Sequence, residues 1–266
     1  MLYKKENQFT IFSSNINSIN SKFNEILSFV ELHRRNNFEF NALCFQECWI
    51  TDNQDVSHIQ IDGYTCIYQG RSCSVKGGLV IYLQDIFKYK ILSTYNTSTI
   101  WEGLFIDIFD GGLSKTLTLG NIYRPPKDTV NNYRTFIQEL TPFLNLYENN
   151  GKETVLTGDF NINLLKLNER DIFSDFYDTI TSHSFFPAIT LPTRFSARNA
   201  SLIDNFFCKL TETSLTAIPG ILIDQLSDHH PYFLSMDIMK KKQILPKYID
   251  IVEHTPISIK NFLDEI

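Results

Sequence analysis

This 266-residue chain lacks most of the signals that settle a function at first sight. No apolar run approaches the roughly 18 residues that a membrane-spanning helix needs. The opening "MLYKKENQFTIFSS" has lysines but no apolar core after them, so it does not read as a secretory signal. No internal repeat is present, and no low-complexity linker precedes about residue 239. Cysteine is scarce and odd in number: Cys44, Cys48, Cys66, Cys73 and Cys208 include no CxxC pair. That usage fits reduced thiols in an intracellular protein. Cys44 and Cys48 have no histidine cluster to complete a zinc site. P-loop, GxSxG and HExxH motifs are all missing. Excess positive charge is missing too. A net charge of −6 excludes a protein held on nucleic acid mainly by bulk charge. It leaves room for a local basic groove, because the field in a cleft follows the nearby charges.

What the chain does have is material for a core. Hydrophobic residues make up 43% of it, with 22 Phe and 12 Tyr, which is far from the composition of a disordered chain. "QFTIFSSNIN" (8–17) and "NALCFQECWI" (41–50) read as strands that run out into polar residues. Between them Phe23, Ile26, Leu27 and Val30 recur with helical spacing. "GGLVIYL" (77–83), "YKILSTY" (89–95), "WEGLFIDIF" (101–109) and "KTLTLGNIY" (115–123) carry the β-branched and aromatic residues that strands favour. Gly111-Gly112 suits a hairpin turn, and "YRPP" stops the run. Helices are expected at about 131–147, and around Ile172, Phe173, Phe176 and Ile180. Further strands are expected at 154–159, 201–208 and 231–238. This order predicts α/β architecture: two sheets packed face to face, with helices outside. Residues 1–238 form the expected domain. Residues 239–266, with Lys240 and a Pro at 246, read as a linker or truncated extension.

Several of these strands deliver a polar group at an end: Asn15, Glu47, Tyr123, Asp159 with Asn161, and Asp228-His229. Asp204 lies inside "SLIDNFF". Each has a structural reading when taken singly. Asn15 could cap the next helix, Glu47 could pair with a surface lysine, Asp228 could cap a turn before Pro231, and Tyr123 could be plain core. Asn163 suits a turn or cap, and Gly158 a tight strand exit. Histidines 33, 58, 183 and 254 lack this acidic company and read as structural or exposed. Taken jointly, the strand ends suit phosphodiester hydrolysis. A hard cation takes carboxylate oxygens and phosphate, an Asp–His pair sets an imidazole, and amide and phenol groups hold phosphate without adding charge.

"NINSI", "QECW", "GGLVIYL", "NIYRPP", "GDFNINLL", "LPTR", "SLID" and "SDHHP" occur in the order found in the endonuclease/exonuclease/phosphatase superfamily. Over about residues 8–238 the chain resembles the endonuclease domain of non-LTR (LINE-type) retrotransposons. "YRPP", "PTR" before "LID" and Trp49 after the glutamate carry that finer resemblance. Cys48 and Ser201 stand where threonine is frequent.

The resemblance implies a four-layer sandwich of two mixed β-sheets with helices on the outside, and Mg²⁺-dependent (or Mn²⁺-dependent) nicking of DNA. Glu47 would bind the metal with Asn15 beside it and Asp228 in support. Tyr123 would contact the scissile phosphate, Asp159 would activate water or assist the leaving group, and Asn161 would hold phosphate. His229 would bind phosphate, oriented by Asp204. Thr193, Arg194, Arg198, Ser201 and Ser227 would form the substrate-binding surroundings, with Thr193 and Ser227 as supporting hydrogen-bonders and Arg194 and Arg198 facing the DNA backbone. DNA is the implied partner, and a membrane is not. A reverse transcriptase domain is implied in the parent element, though this chain leaves no room for one after residue 238. A nuclear location follows if genomic DNA is the target. Two other readings stand beside this one: a phosphatase or phosphodiesterase of the same fold acting on a small phosphorylated molecule or lipid, and a non-catalytic binding module.

Overall fold

The computed structural model describes residues 7–71, 76–97, 99–126, 129–148, 151–196, 199–212, 215–223 and 226–240. Its strands are β1 Phe9–Asn15, β2 Ala42–Gln46, β3 Tyr64–Gln69, β4 Leu79–Gln84, β5 Lys88–Thr97, β6 Trp101–Phe109, β7 Leu117–Tyr123, β8 Glu153–Asp159, β9 Phe186–Pro187, β10 Arg194–Phe195, β11 Ala200–Ser201, β12 Asp204–Lys209, β13 Ala217–Ile221 and β14 Tyr232–Met236. Its helices are α1 Ile19–Arg35, α2 Val130–Glu148 and α3 Asp171–Ser182.

Two six-stranded mixed sheets result. The first runs β13-β14-β1-β2-β4-β3 and the second β5-β6-β7-β8-β12-β9, with a short β10-β11 hairpin apart from both. Each sheet holds one parallel pair joined through a helix: β1-α1-β2 and β7-α2-β8. The other pairings are antiparallel.

Side chains alternate across each strand, so every central strand feeds two layers. Phe9, Ile11, Ala42 and Cys44 of the first sheet meet Leu104, Ile106, Leu119, Val155 and Phe206 of the second in the middle layer. Phe12, Leu43 and Phe45 turn outward onto Ile26, Phe29 and Val30 of α1. Ile122, Leu156 and Phe207 turn outward onto Phe136 and Leu140 of α2 and Phe176 of α3. Burial on both faces explains why these strands read as nearly continuous apolar runs. The architecture is the four-layer α/β sandwich that the sequence implied.

Some expectations need correction. The strand expected at 201–208 is split: Ser201 pairs with Arg194 in the small hairpin, Leu202 and Ile203 belong to no strand, and Asp204 begins β12. Tyr64–Gln69 and Ala217–Ile221 are strands that the pattern missed, both at edges of the first sheet. The second contains Pro219 and Gly220, which edges tolerate and central strands do not. Asn15 does not cap α1, whose N-cap is Ser18 with no side-chain cap bond. Met239 and Lys240 still bond to the body, through Asn7 and Gly112 carbonyls. Residues 241–266, Cys73 and Arg198 lie outside the described residues.

Candidate active site

Register places the acids. Residues directly opposite in paired strands point to the same face. Tyr123 pairs with Glu102 on one side and Asp159 on the other, and Asp159 pairs with Asp204. One row across the second sheet therefore carries Glu102, Tyr123, Asp159 and Asp204 toward the first sheet. There, the parallel pair β1-β2 ends on Asn15 opposite Gln46, with Glu47 next. The two facing sheets thus bring polar groups together at one end of the sandwich.

Gly158 makes the Asp159 exit possible. It has a φ of 146°, and a Cβ built on it would lie 1.8 Å from the Ile122 carbonyl oxygen of β7. Its N–H donates to the Tyr232 hydroxyl at 3.1 Å, which ties β8 to the facing sheet. Asn163 is the cap of a short 3₁₀ turn and accepts from Leu165 and Leu202 amides. Glu47 and Asn161 hold left-handed backbone, at φ 51° and 49°. Such strain in non-glycine residues persists only where surroundings enforce it.

The resulting cleft has a volume of about 180 Å³ and is lined by Asn15, Asn17, Glu47, Pro126, Asp159, Asn161, Arg194, Asp228 and His229. A larger depression of about 670 Å³ at Arg34, Glu39 and Asp85 holds none of the expected residues. Asn15 Nδ2 donates to Glu47 Oε1 at 2.8 Å and to Asp159 Oδ2 at 3.0 Å. Its Oδ1 accepts from the Asn17 amide. Asn161 N–H donates to Asp159 Oδ1 at 2.9 Å, and Asn161 Nδ2 to the Arg124 carbonyl. His229 Nδ1 lies 2.9 and 3.0 Å from the two Asp204 oxygens.

Electrostatics follow from that geometry. Burial, with Asp204 beside it, pushes the Asp159 carboxyl up to about 7. Burial alone would lower the His229 imidazole, but Asp204 and then Asp159 outweigh it and hold the ring up to about 9. Burial and the Glu47 carboxylate keep the Tyr123 phenol protonated far above its ordinary range. Partial burial alone would raise the Asp228 carboxyl, but His229 and Arg194 outweigh it and hold the group below the usual carboxylate range.

Tyr123, Asp159, Asn161, Asp204, His229, Asn15 and Glu47 come together as the sequence suggested. Asp228 lines the same cleft, yet its Oδ2 is taken by Arg194 at 2.7 Å. Thr193 is fully buried and therefore cannot meet substrate; its hydroxyl donates to Asp204 at 2.6 Å. Ser227 donates to the Asn15 carbonyl at 2.5 Å and accepts from the His229 amide. The Ser201 hydroxyl donates to the Arg194 carbonyl at 3.5 Å.

Sequence reasoning missed two arginines. Arg124 is fully buried, packs over Tyr133 at 3.9 Å and donates to the Asn161 carbonyl at 3.2 Å and to Asn132. Arg71 pairs with the fully buried Glu102 behind Tyr123. "YRPP" and the Glu102 that breaks an apolar strand were the available signals.

A family model described as the endonuclease/exonuclease/phosphatase family matches residues 12–229. The chain belongs to that family. Its members hydrolyse phosphoester bonds and use divalent metals. Solved structures agree on the fold. An AP endonuclease from Archaeoglobus fulgidus matches at TM-score 0.63 and 16% identity, covering 85% of this chain and 98% of its own. The 3′ phosphatase NExo from Neisseria, a variant bound to product DNA hairpin, matches at 0.61 and 16%, covering 85% and 98%. The endonuclease domain of TRAS1, a telomere-specific non-LTR retrotransposon, matches at 0.60 and 15%, covering 88% and 100%. No curated protein sequence matches the chain.

Within this family member the donor set suits a hard cation. Two carboxylates, Glu47 and Asp159, share one Asn15 amide, and burial, with the neighbouring negative charge added to it, raises Asp159. One ligand atom each of Asp159, Asp204 and His229 also lie within 4.8 Å of one another. Asp204 and His229, however, engage each other through Nδ1, and Asp204 does not line the cleft, whereas Glu47 and Asp159 do. The Glu47 side is therefore where a cation fits. No helix among the described residues is long and apolar enough to cross a membrane.

Proposed function

We propose that this chain is a Mg²⁺-dependent DNA endonuclease of the non-LTR retrotransposon kind, acting at the Glu47–Asp159–His229 cleft. One observation carries the reading. Side chains from both sheets bring a cation-binding carboxylate, a base and a charged imidazole to one small polar cleft. A bound divalent cation would neutralise charge on the phosphate and the departing sugar oxygen.

The chain's own groups do the rest. The His229 imidazolium, held by Asp204, meets a non-bridging phosphate oxygen through Nε2. Tyr123 and the second N–H of Asn161 donate to the same phosphate. Asp159, poised near neutral pH, takes a proton from the attacking water. The new P–O bond forms as the bond to the 3′ oxygen breaks; that oxygen takes a proton from solvent, and a 5′ phosphate and a 3′ hydroxyl able to prime reverse transcription remain. Arg194, aligned by Asp228 and half exposed at the cleft wall, meets the DNA backbone. A reverse transcriptase domain in the parent element and a nuclear location belong to this reading.

The net charge of −6 and the small cleft favour a second reading, a phosphatase or phosphodiesterase acting on a small phosphorylated molecule. A substrate panel separates them. The endonuclease reading expects turnover of supercoiled plasmid with Mg²⁺ and none of sugar or inositol phosphates. The opposite pattern overturns it.

A further inference from the structure

We propose that Arg71 and Glu102 form a positioning pair that holds the metal ligand Glu47 in place and so sets the affinity of the site for divalent cations. This rests on the reading of Glu47 as a ligand.

The pair sits behind the cleft and outside it. Glu102 is fully buried and Arg71 nearly so. The guanidinium meets Glu102 Oε1, while Glu102 Oε2 accepts from the Gly78 amide at 2.7 Å. The Gly77-Gly78 turn then grips the residues that follow Glu47. Cys48 N–H donates to the Gly78 carbonyl at 3.0 Å, and Trp49 N–H to the Gly77 carbonyl at 2.6 Å. Arg71's own backbone clasps the same segment from the other side: its amide donates to Ile50, and its carbonyl accepts from Asp52. The fit is close. A Cβ on Gly77 would fall 2.2 Å from Arg71 Nε, and one on Gly78 would fall 2.9 Å from Ile50 Cγ1.

Glu47 needs such support because its φ of 51° is strained. Glu102 is also the register partner of Tyr123, and the Arg71 guanidinium lies 5.9 Å from the centre of the Tyr123 ring. One buried charge pair therefore spans the two sheets, with Arg71 beside the segment after Glu47 and Glu102 beside Tyr123. A buried ion pair gives little net stability, since desolvation offsets the attraction. Holding a ligand in a strained geometry is a use that its placement explains. Groups that orient metal ligands typically change metal affinity about 10–100-fold when removed.

The test is direct Mn²⁺ binding by calorimetry to the full chain, with plasmid nicking titrated against Mn²⁺ alongside. Glu102→Gln is expected to weaken Mn²⁺ binding by about tenfold or more. Its nicking rate should return toward wild type at saturating Mn²⁺, which marks a positioning role. Asp107→Asn, at the far end of the same strand, should leave Mn²⁺ binding unchanged. Should Glu102→Gln fail to fold, the double variant Arg71→Met/Glu102→Met removes both charges at once and is read instead. Wild-type Mn²⁺ affinity in the folded variant overturns the pair's role. Glu47→Gln tests the underlying reading separately: if it binds Mn²⁺ like wild type, the ligand assignment itself falls.

Discussion

Replacing Gly158 by alanine should cripple the fold and the site together. Gly158 is the penultimate residue of β8, next to Asp159 and paired on both sides within the sheet. At φ 146° an L side chain is strained, which costs about 1–3 kcal/mol. The added methyl would also sit 1.8 Å from the Ile122 carbonyl oxygen, roughly half an ordinary contact distance. That oxygen is backbone in the central parallel pair β7-β8, so no side chain can swing aside. Overpacking of this kind costs about 1–3 kcal/mol or more. The sum is about 2–6 kcal/mol, a large part of a typical domain's stability. For a chain of this size that lowers Tm by about 4–24 °C. Gly151→Ala is the matched control: its φ is also positive, at 68°, but nothing lies within 4 Å of the new methyl. It should cost about 1 kcal/mol. Thermal melts followed by circular dichroism compare the two. If both variants melt within 3 °C or so of each other, the crowding at the Asp159 exit is not real and the site geometry built on it is wrong.

Three further outcomes follow from the same cleft. Asp204→Asn should cut the nicking rate about 10²–10³-fold while DNA binding stays near wild type. It should also shift the alkaline limb of the pH–rate profile below its wild-type position near 9, because the imidazolium loses its counter-charge. In EDTA, Tm should fall as pH rises from about 5 to about 9. Asp159 and His229 both bind their protons more tightly folded than unfolded, so their stabilisation is lost as pH rises through about 7 and then about 9. Asp159→Asn should flatten the lower part of that decline, and melts across the range check it. Arg194→Ala should weaken DNA binding and reduce the salt dependence by about one phosphate contact, measured by fluorescence anisotropy at several salt concentrations.

The polar strand ends were legible because each breaks an apolar run abruptly, and their chain order carries the family. What one dimension hides is register. Glu102 is a polar interruption in the sequence; only its pairing with Tyr123 makes it a neighbour of the site. Arg71 lies between two glycine-containing stretches with no periodic pattern, so its reach to Glu102 exists only in the folded chain. The motifs suggest Thr193 and Ser227 as supporting hydrogen-bonders, but only the fold shows which groups they support, Asp204 and the Asn15 carbonyl. Buried polar hubs were equally invisible. Asn121 joins the two sheets through Gln46 and the carbonyls of Phe45 and Val80, inside what reads as an ordinary strand.

The most direct test of the account is nicking of supercoiled plasmid by purified wild type, Glu47→Ala and His229→Ala, with Mg²⁺ and with EDTA. Wild type should convert plasmid to open circles only with the metal, and both variants should be slower by at least about 10². Variants that nick as fast as wild type would show that the activity does not arise at this cleft.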